Sequence, residues 1–359
     1  MADPIFVLGD LRPMGGNNSP DSLVDIDHDG DLDAFAYWGG DTLFSKNTGT
    51  STNPVFEVPL VNPFGIVSLG SEGGSATFVD IDGDGDLDGF MSGYSGTIDF
   101  FRNTGTVSNP QFDAPQSSPF GLNGNSDNIA FADIDGDGDM DAFIDFYFLK
   151  NIGTANAPVF AAAVSASTLG LDGVRGYPSP TFVDIDGDGD MDAFVGSYSY
   201  NFGSDVFFFR NIGTVNNPRF YRVGDDPYGI GNPSDFPDPL FADIDNDGDQ
   251  DAFINQGSQT IFYKNDGIGY TPSFSSDGVS FGLGYVGYAP DPFFVDIDGD
   301  GDLDAFAGQG LFSGYSDDAG KTLYFENTGT AKNPDFAAVT LTNPFGLIDV
   351  GDFASSAFF

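Results

Sequence analysis

The sequence predicts an all-β fold, a β-propeller of six four-stranded blades, and three observations predict it. A nine-residue pattern, Asp-x-Asp-x-Asp-Gly-Asp-x-Asp, occurs six times, beginning at Asp25, Asp80, Asp133, Asp184, Asp243 and Asp296. Successive copies therefore lie 55, 53, 51, 59 and 53 residues apart, the size of a supersecondary unit and not of a short solenoid rung. Between the copies run short apolar and aromatic stretches punctuated by Gly and Pro, with no helical periodicity. Short strands at this period point to sheets set radially around an axis.

The second copy shows each element in order. Thr77-Phe78-Val79 leads into the acidic loop as a first strand, A, and Gly89-Phe90-Met91-Ser92 leaves it as strand B. Ile98-Asp99-Phe100-Phe101-Arg102 has the aromatic alternation of a half-buried strand, C, and ends in the turn Asn103-Thr104-Gly105-Thr106. Proline suits the start of an edge strand, so Asn109-Pro110-Gln111-Phe112 is read as strand D. The end of strand C recurs at Lys46-Asn47, Lys150-Asn151, Arg210-Asn211, Lys264-Asn265 and Glu326-Asn327, and strand D around Phe56, Phe160, Phe220, Phe274 and Phe336. A weaker Pro-Phe-Gly signal marks the links at Pro63-Phe64-Gly65, Pro119-Phe120-Gly121 and Pro344-Phe345-Gly346.

The repeats then span about 22–60, 77–116, 130–164, 181–223, 240–278 and 293–339 of a single propeller covering 1–359, with terminal half-repeats at 1–21 and 340–359. Pro4-Ile5-Phe6-Val7-Leu8 reads as a spare strand D and Ser355-Ser356-Ala357-Phe358-Phe359 as a spare strand A. Three outcomes are open: a ring of six sealed by the N-terminal strand, an incomplete seventh blade, or exposed edges that pair copies head to tail.

A formal net charge of -44 suggests a disordered acidic chain until the acids are located. The six loops hold 30 of the 55 acidic residues, while 39 Phe and 14 Tyr can bury a large apolar surface. Only 11 Lys plus Arg are present and they do not cluster, so phosphate backbones and anionic lipid surfaces would repel the chain, and nucleic acid is not an expected partner. No stretch approaches the roughly 18 apolar residues of a membrane span, and Met1-Ala2-Asp3-Pro4-Ile5-Phe6 is not a secretory leader. There is no cysteine, so redox chemistry does not fix the compartment.

Five carboxylates within nine residues repel one another unless a cation sits among them. In each loop positions 1, 3, 5 and 9 can supply side-chain oxygens, position 7 its backbone carbonyl, and Gly at position 6 the sharp turn. The candidate ligands are Asp25, Asp27, Asp29, Asp31 and Asp33; Asp80, Asp82, Asp84, Asp86 and Asp88; Asp133, Asp135, Asp137, Asp139 and Asp141; Asp184, Asp186, Asp188, Asp190 and Asp192; Asp243, Asp245, Asp247, Asp249 and Asp251; and Asp296, Asp298, Asp300, Asp302 and Asp304. Oxygen-only ligands exclude an ordinary zinc or copper site, and Mg²⁺ disfavours crowded protein cages, which leaves Ca²⁺, about six ions, offsetting about 12 charges. Position 4, His28 in the first loop and Asn246 in the fifth, is not a ligand and tolerates both. Position 8 is apolar in five loops and Gln250 in the fifth, so the fifth site is expected to bind most weakly.

The DxDxDGxxD loops, the NxGTxxxPxF segments after strand C and the Phe-Gly links resemble FG-GAP or VCBS repeats, similar to the propeller of integrin α subunits and of many bacterial surface proteins. The resemblance implies a propeller whose A-to-B loops lie on one face, each holding Ca²⁺. It also implies a leaderless route of export for such proteins, although no C-terminal signal is evident here.

Blander readings stand beside these. His28, the lone histidine, reads as a solvated loop residue and no catalytic base. Lys46, Arg102, Lys150, Arg210 and Lys264 share one repeat position and read as strand ends relieving acidic repulsion, with Glu326 the exception. No nucleophile motif or phosphate loop occurs, and every obvious Asp is committed to metal, so no enzyme is expected; a polysaccharide-degrading activity ranks last. Low-affinity calcium modules, of about 10⁻⁴ to 10⁻³ M, fill only outside the cytosol. The expectation is a calcium-stabilised structural or adhesive protein, extracellular or at the cell surface, not inserted in a membrane, that associates with itself. The alternative is a recognition module for an extracellular carbohydrate or protein ligand.

Overall fold

The computed structural model describes residues 20–38, 41–50, 53–67, 74–93, 97–106, 108–122, 129–144, 146–154, 156–174, 177–199, 203–214, 216–224, 230, 237, 239–256, 259–267, 271–275, 283, 292–308, 321–337 and 341–347. They form six antiparallel sheets of four consecutive strands each. Blade 1 is β1 (Pro20–Val24), β2 (Asp33–Trp38), β3 (Asp41–Ser45) and β4 (Leu60–Val61), and blade 2 is β5 (Gly74–Val79), β6 (Asp88–Gly93), β7 (Ile98–Phe101) and β8 (Gln116–Ser117). Blade 3 is β9 (Ile129–Ala132), β10 (Asp141–Ile144), β11 (Tyr147–Leu149) and β12 (Val164–Ser165). Blade 4 is β13 (Tyr177–Val183), β14 (Asp192–Ser199), β15 (Gly203–Asn211) and β16 (Phe220–Arg222). Blade 5 is β17 (Pro239–Ala242), β18 (Asp251–Gln256), β19 (Gln259–Asn265) and β20 (Phe274–Ser275), and blade 6 is β21 (Pro292–Val295), β22 (Asp304–Gly308), β23 (Thr322–Phe325) and β24 (Leu341–Thr342). Among the described residues only short 3-10 turns interrupt the strands, and no helix is long and apolar enough to cross a membrane.

The aromatic residues pack the seams between blades. Phe35 of blade 1 lies 4.4 Å, ring centre to ring centre, from Phe78 of blade 2, and the same tilted pair recurs at Phe90–Phe131, Phe143–Phe182, Phe194–Phe241 and Phe253–Phe294. The sixth seam joins blade 6 to blade 1, where Phe293, Phe306 and Tyr324 pack with Leu23, Ala34 and Phe56. Six blades thus form a closed propeller. At the blade 4–blade 5 seam the first strands also bond directly, the Thr181 hydroxyl donating to the Pro239 carbonyl at 2.9 Å.

The links after each outer strand complete the seams. Ile66, Leu122, Leu171, Ile230 and Leu283 are buried in the seam that follows their blade, and Leu347 fills the closing seam in the same way. Phe64, Phe120 and Phe345 adopt φ of 57°, 54° and 57°, a conformation that bulky residues rarely take. At the Phe64 and Phe345 turns the reason is visible. The Phe64 carbonyl accepts the N–H of Phe112 in the next blade at 2.7 Å, and the Phe345 carbonyl accepts that of Phe56 in blade 1 at 2.7 Å.

Two expectations need correction. Strand D was expected around Phe56, Phe112, Phe160 and Phe336, yet in those four blades that phenylalanine makes only an isolated bridge, to Asn47, Asn103, Asn151 and Asn327 respectively. The paired outer strand comes later, with Phe44 opposite Leu60 and Phe100 opposite Gln116. Three steps along β3 or β7 face four along the outer strand, so one extra residue bulges between bridge and strand. In blades 4 and 5 the outer strand runs unbroken from Phe220 and Phe274 as expected. Leu341–Thr342, expected in a terminal half-repeat, is the outer strand of blade 6. The spare strands expected at residues 4–8 and 355–359 lie outside the described residues.

Candidate metal centres

Each acidic loop joins the first two strands of its blade and is wound by its own backbone. Position 6 is Gly with φ between 90° and 99° in all six loops, a region that favours glycine. Position 4 is also left-handed: Gly83, Gly136, Gly187 and Gly299 fill it in four loops, and His28 and Asn246, both at φ 52°, in the other two. Asn and His are among the residues that tolerate this region best, so the two departures at position 4 answer a backbone requirement that the pattern alone did not reveal.

The turn aims backbone N–H groups at carboxylates. In the second loop Asp80 accepts from the N–H of Asp84 at 3.1 Å and of Gly85 at 3.0 Å, and Asp84 accepts from that of Asp86 at 3.0 Å. Wound this way, positions 1, 3 and 5 each offer a carboxylate oxygen within 4.8 Å of the others, as in Asp25, Asp27 and Asp29 or Asp243, Asp245 and Asp247. Positions 2 and 8 anchor the loop on both sides. Ile81 packs into the seam with blade 3 and Leu87 into the seam with blade 1, and the other apolar residues at these positions repeat the arrangement. Gln250 is the exception, and its Oε1 is buried without a partner.

Position 9 begins strand B, where Asp33, Asp88, Asp141, Asp192, Asp251 and Asp304 are all buried. One oxygen of each accepts the N–H of the Asn that ends strand C, at 2.7 Å for Asp33 with Asn47 and for Asp88 with Asn103, and at 2.8 Å for Asp304 with Asn327. The other oxygen, Oδ2, has no hydrogen-bond partner in any of the six. Burial pushes these carboxyls up to about 7 at Asp33, Asp141, Asp251 and Asp304 and about 8 at Asp88 and Asp192, even though the Asn N–H opposes the shift. Position 7 behaves similarly: Oδ1 of Asp31, Asp86, Asp190 and Asp302 is buried and unpartnered, so the side chain, and not only the main chain, is available to a cation.

The Asn is a clasp that sequence reasoning took for a simple turn residue. Asn103 Oδ1 accepts the N–H of Gly105 at 3.1 Å and of Gln111 at 3.0 Å, closing the hairpin after strand C. A Cβ on Gly105 would come within 2.3 Å of the Asn109 carbonyl oxygen, so the hairpin requires glycine there. The available signal was the recurrence of that Asn in all six copies. Between blades, Asn156 Nδ2 donates to the Asp82 carbonyl at 2.9 Å and Asn216 Nδ2 to the Asp135 carbonyl at 3.0 Å, so two loops are held by the next blade's hairpin.

Lys46, Arg102, Lys150, Arg210 and Lys264, expected to relieve acidic repulsion, do so by direct ion pairs with position 3 of their own loops: Asp27, Asp82, Asp135, Asp186 and Asp245. Lys46 also reaches Asp29 at 2.9 Å and Lys264 reaches Asp247 at 3.1 Å. Burial alone would lower these two ammonium groups, but their carboxylate partners hold them above the ordinary lysine range.

An arrangement of converging oxygens, in which each buried position-9 carboxylate keeps one oxygen without a hydrogen-bond partner, fits a hard divalent cation and offers nothing to a soft one. A group so desolvated must find a proton or a cation.

Residues 80–144 match the family of FG-GAP-like repeats, across the second loop and into blade 3. Among solved structures the chain is similar to an Agrocybe aegerita lectin described for specific recognition of non-reducing terminal N-acetylglucosamine. The two are 19% identical over 95% of this chain and 82% of that one, with a TM-score of 0.52. It is also similar to the Photorhabdus luminescens Tc holotoxin pore, at 15% identity over 89% of this chain and 16% of that one, with a TM-score of 0.47. No curated protein sequence matches the chain. The lectin likeness supports the propeller fold alone.

Proposed function

We propose that this chain, an FG-GAP-like repeat propeller, is held together by calcium and works outside the cytosol as a structural or adhesive module, by binding and without catalysis. The observation that carries the proposal is the unpartnered, buried Oδ2 of the position-9 Asp in all six loops. Positions 1, 3, 5, 7 and 9 would hold the ion, and calcium would supply the charge that lets these carboxylates stay buried and ionised. Because positions 2 and 8 pack into the two seams flanking a blade, a filled loop fastens both. Calcium at 100 times its dissociation constant stabilises a folded chain by about 2.7 kcal/mol per site, so several sites together change the melting temperature substantially.

Calorimetry of the purified chain in millimolar Ca²⁺, in Mg²⁺ and after EDTA, with metal analysis of the loaded protein, tests this. The expected result is about six calcium ions and a melting temperature lowered strongly by EDTA and little restored by Mg²⁺. An unchanged melting temperature after EDTA overturns it. Association between copies belongs to the same proposal, and electron microscopy with and without Ca²⁺ reads it; monodisperse rings in calcium count against it.

A second reading, glycan recognition, is favoured by the likeness to the lectin over 95% of the chain. Binding to a glycan array in Ca²⁺, with loss in EDTA, would move it ahead of the first.

A further inference from the structure

The last residue of strand C separates blade 6 from the rest. In blade 1 it is placed by two backbone bonds: the following N–H, of Asn47, reaches Asp33 at 2.7 Å, and the Lys46 carbonyl accepts the N–H of Glu57 at 2.8 Å. In blade 6 the Asn327 N–H reaches Asp304 at 2.8 Å and the Glu326 carbonyl accepts the N–H of Ala337 at 3.0 Å. Glu326 is therefore the backbone equivalent of Lys46, and strand alternation assigns both side chains to the same face. Blades 1 to 5 bring a lysine or arginine to their loops, while blade 6 brings a sixth carboxylate.

The sixth loop keeps the buried carboxylates of the others but is wound differently at position 5, where the Asp300 N–H donates to Asp298 at 3.2 Å and not to the Asp at position 1. Asp302 is 8% exposed and Asp304 is 2% exposed, and Oδ1 of Asp302, Oδ2 of Asp304 and Oδ1 of Asp296 all lack a hydrogen-bond partner. A divalent ion entering the first loop must compete with the Lys46 ammonium already bonded to Asp27 and Asp29. For the sixth loop the described residues show no such competitor. Its Ile297 packs into the seam between blade 6 and blade 1, and its Leu303 into the seam with blade 5.

We propose that the sixth loop, supplemented by Glu326, is the tightest divalent-cation site of the ring and fills first, so that the seam closing blade 6 onto blade 1 is fastened at the lowest cation concentration. The inference rests on the reading that the loops take calcium. The other five loops carry their own counter-cation, which partly neutralises them when metal is scarce and weakens them for metal when it is plentiful. The gap between the two classes is electrostatic between partly exposed groups, so it narrows as salt rises.

Isothermal titration of the chain with Ca²⁺, at low and at high salt, tests the order. Wild type is expected to show one site at least tenfold tighter than the remainder. Glu326→Lys, which gives blade 6 the residue its neighbours have, removes that tight class, and Lys46→Glu creates a second. Terbium luminescence assigns the site. Tyr324 lies beside Asp304, where blades 1 to 5 carry Phe44, Phe100, Phe148, Phe208 and Phe262, so tyrosine-sensitised emission should rise with the first equivalent in wild type and be lost in Tyr324→Phe. Six equivalent sites in wild type, or a tight class that survives Glu326→Lys, overturns the inference and leaves calcium binding intact. Absence of any calcium heat overturns the proposed function itself.

Discussion

The acidic loops with their Asn clasps, and the outer strands at the rim, come from the same six repeats but have kept different things. Among the nine loop residues the copies differ only at positions 4 and 8, and the clasp bonds recur in every blade. At the rim, four outer strands bulge and two do not, and their exposed pairs read Leu60-Val61, Gln116-Ser117, Val164-Ser165 and Leu341-Thr342. The difference teaches where the physical constraint lies. A buried carboxylate must satisfy each oxygen, so almost nothing near it can change, whereas an edge strand facing water needs only its backbone pairing to one neighbour.

The largest effect expected from pressing on that contrast comes from pH, because it acts on all six buried carboxyls together. Their folded values of about 7 to 8 lie above the ordinary 3.8. Between those limits the folded, metal-free chain binds protons that the unfolded chain has released, so its stability declines as pH rises through 7 to 8. With calcium bound the sign reverses, since protons then compete with the ion, and stability is lost as pH falls. Melting curves from pH 5 to 8.5, in EDTA and in Ca²⁺, should slope in opposite directions; parallel slopes would show that these carboxyls are not where the cation acts.

Next in size is Asn103→Ala, which strands the N–H groups of Gly105 and Gln111. At about 1–3 kcal/mol for each group left unsatisfied, partly relieved by water, a loss of about 2–4 kcal/mol is expected in denaturant titration. Gln116→Ala, on the exposed outer strand of the same blade, should change stability by less than about 0.5 kcal/mol. Equal losses from the two would erase the distinction between clasp and rim.

Much of the molecule was legible because one pattern repeats. Loop spacing gave the number of blades, and apolar alternation located their first three strands. The outer strands of four blades were misplaced because Phe56, Phe112, Phe160 and Phe336 carry the apolar signal of a strand, while the residues that pair after the bulge, such as Gln116 and Ser117, are polar and exposed. Ring closure was unreadable for a different reason. Leu347 fills the same slot as Ile66 and Leu122, but nothing local says that the next blade is the first one. In the site, five Asp per loop announced a cluster of carboxylates that could hold a metal ion, yet which oxygens are left unpartnered depends on Asn N–H groups 10 to 23 residues away in sequence.

Blade 5 breaks the rule of the loops from inside. Gln250 stands where five other loops place Leu or Met, and its Oε1 is buried with no partner. Gln250→Leu removes that unsatisfied oxygen and supplies the apolar side chain the seam lacks, so a gain of about 1–2 kcal/mol is expected, together with tighter calcium binding at the fifth loop.

The smallest effect belongs to the rim of blade 1, where Val58 is 81% exposed and Leu60 57% exposed. Val58→Ser with Leu60→Thr should leave the unfolding free energy within about 0.5 kcal/mol of wild type and calcium binding unaltered. That near-silence is informative if adhesion uses this edge, since self-association in calcium would then fall while the melting temperature stays fixed. Side chains so exposed contribute little to their own fold and are free to answer to a partner. A loss of stability above about 1 kcal/mol would instead mean that these side chains pack into the blade, and the contrast between constrained loops and an unconstrained rim would fail at its weakest point.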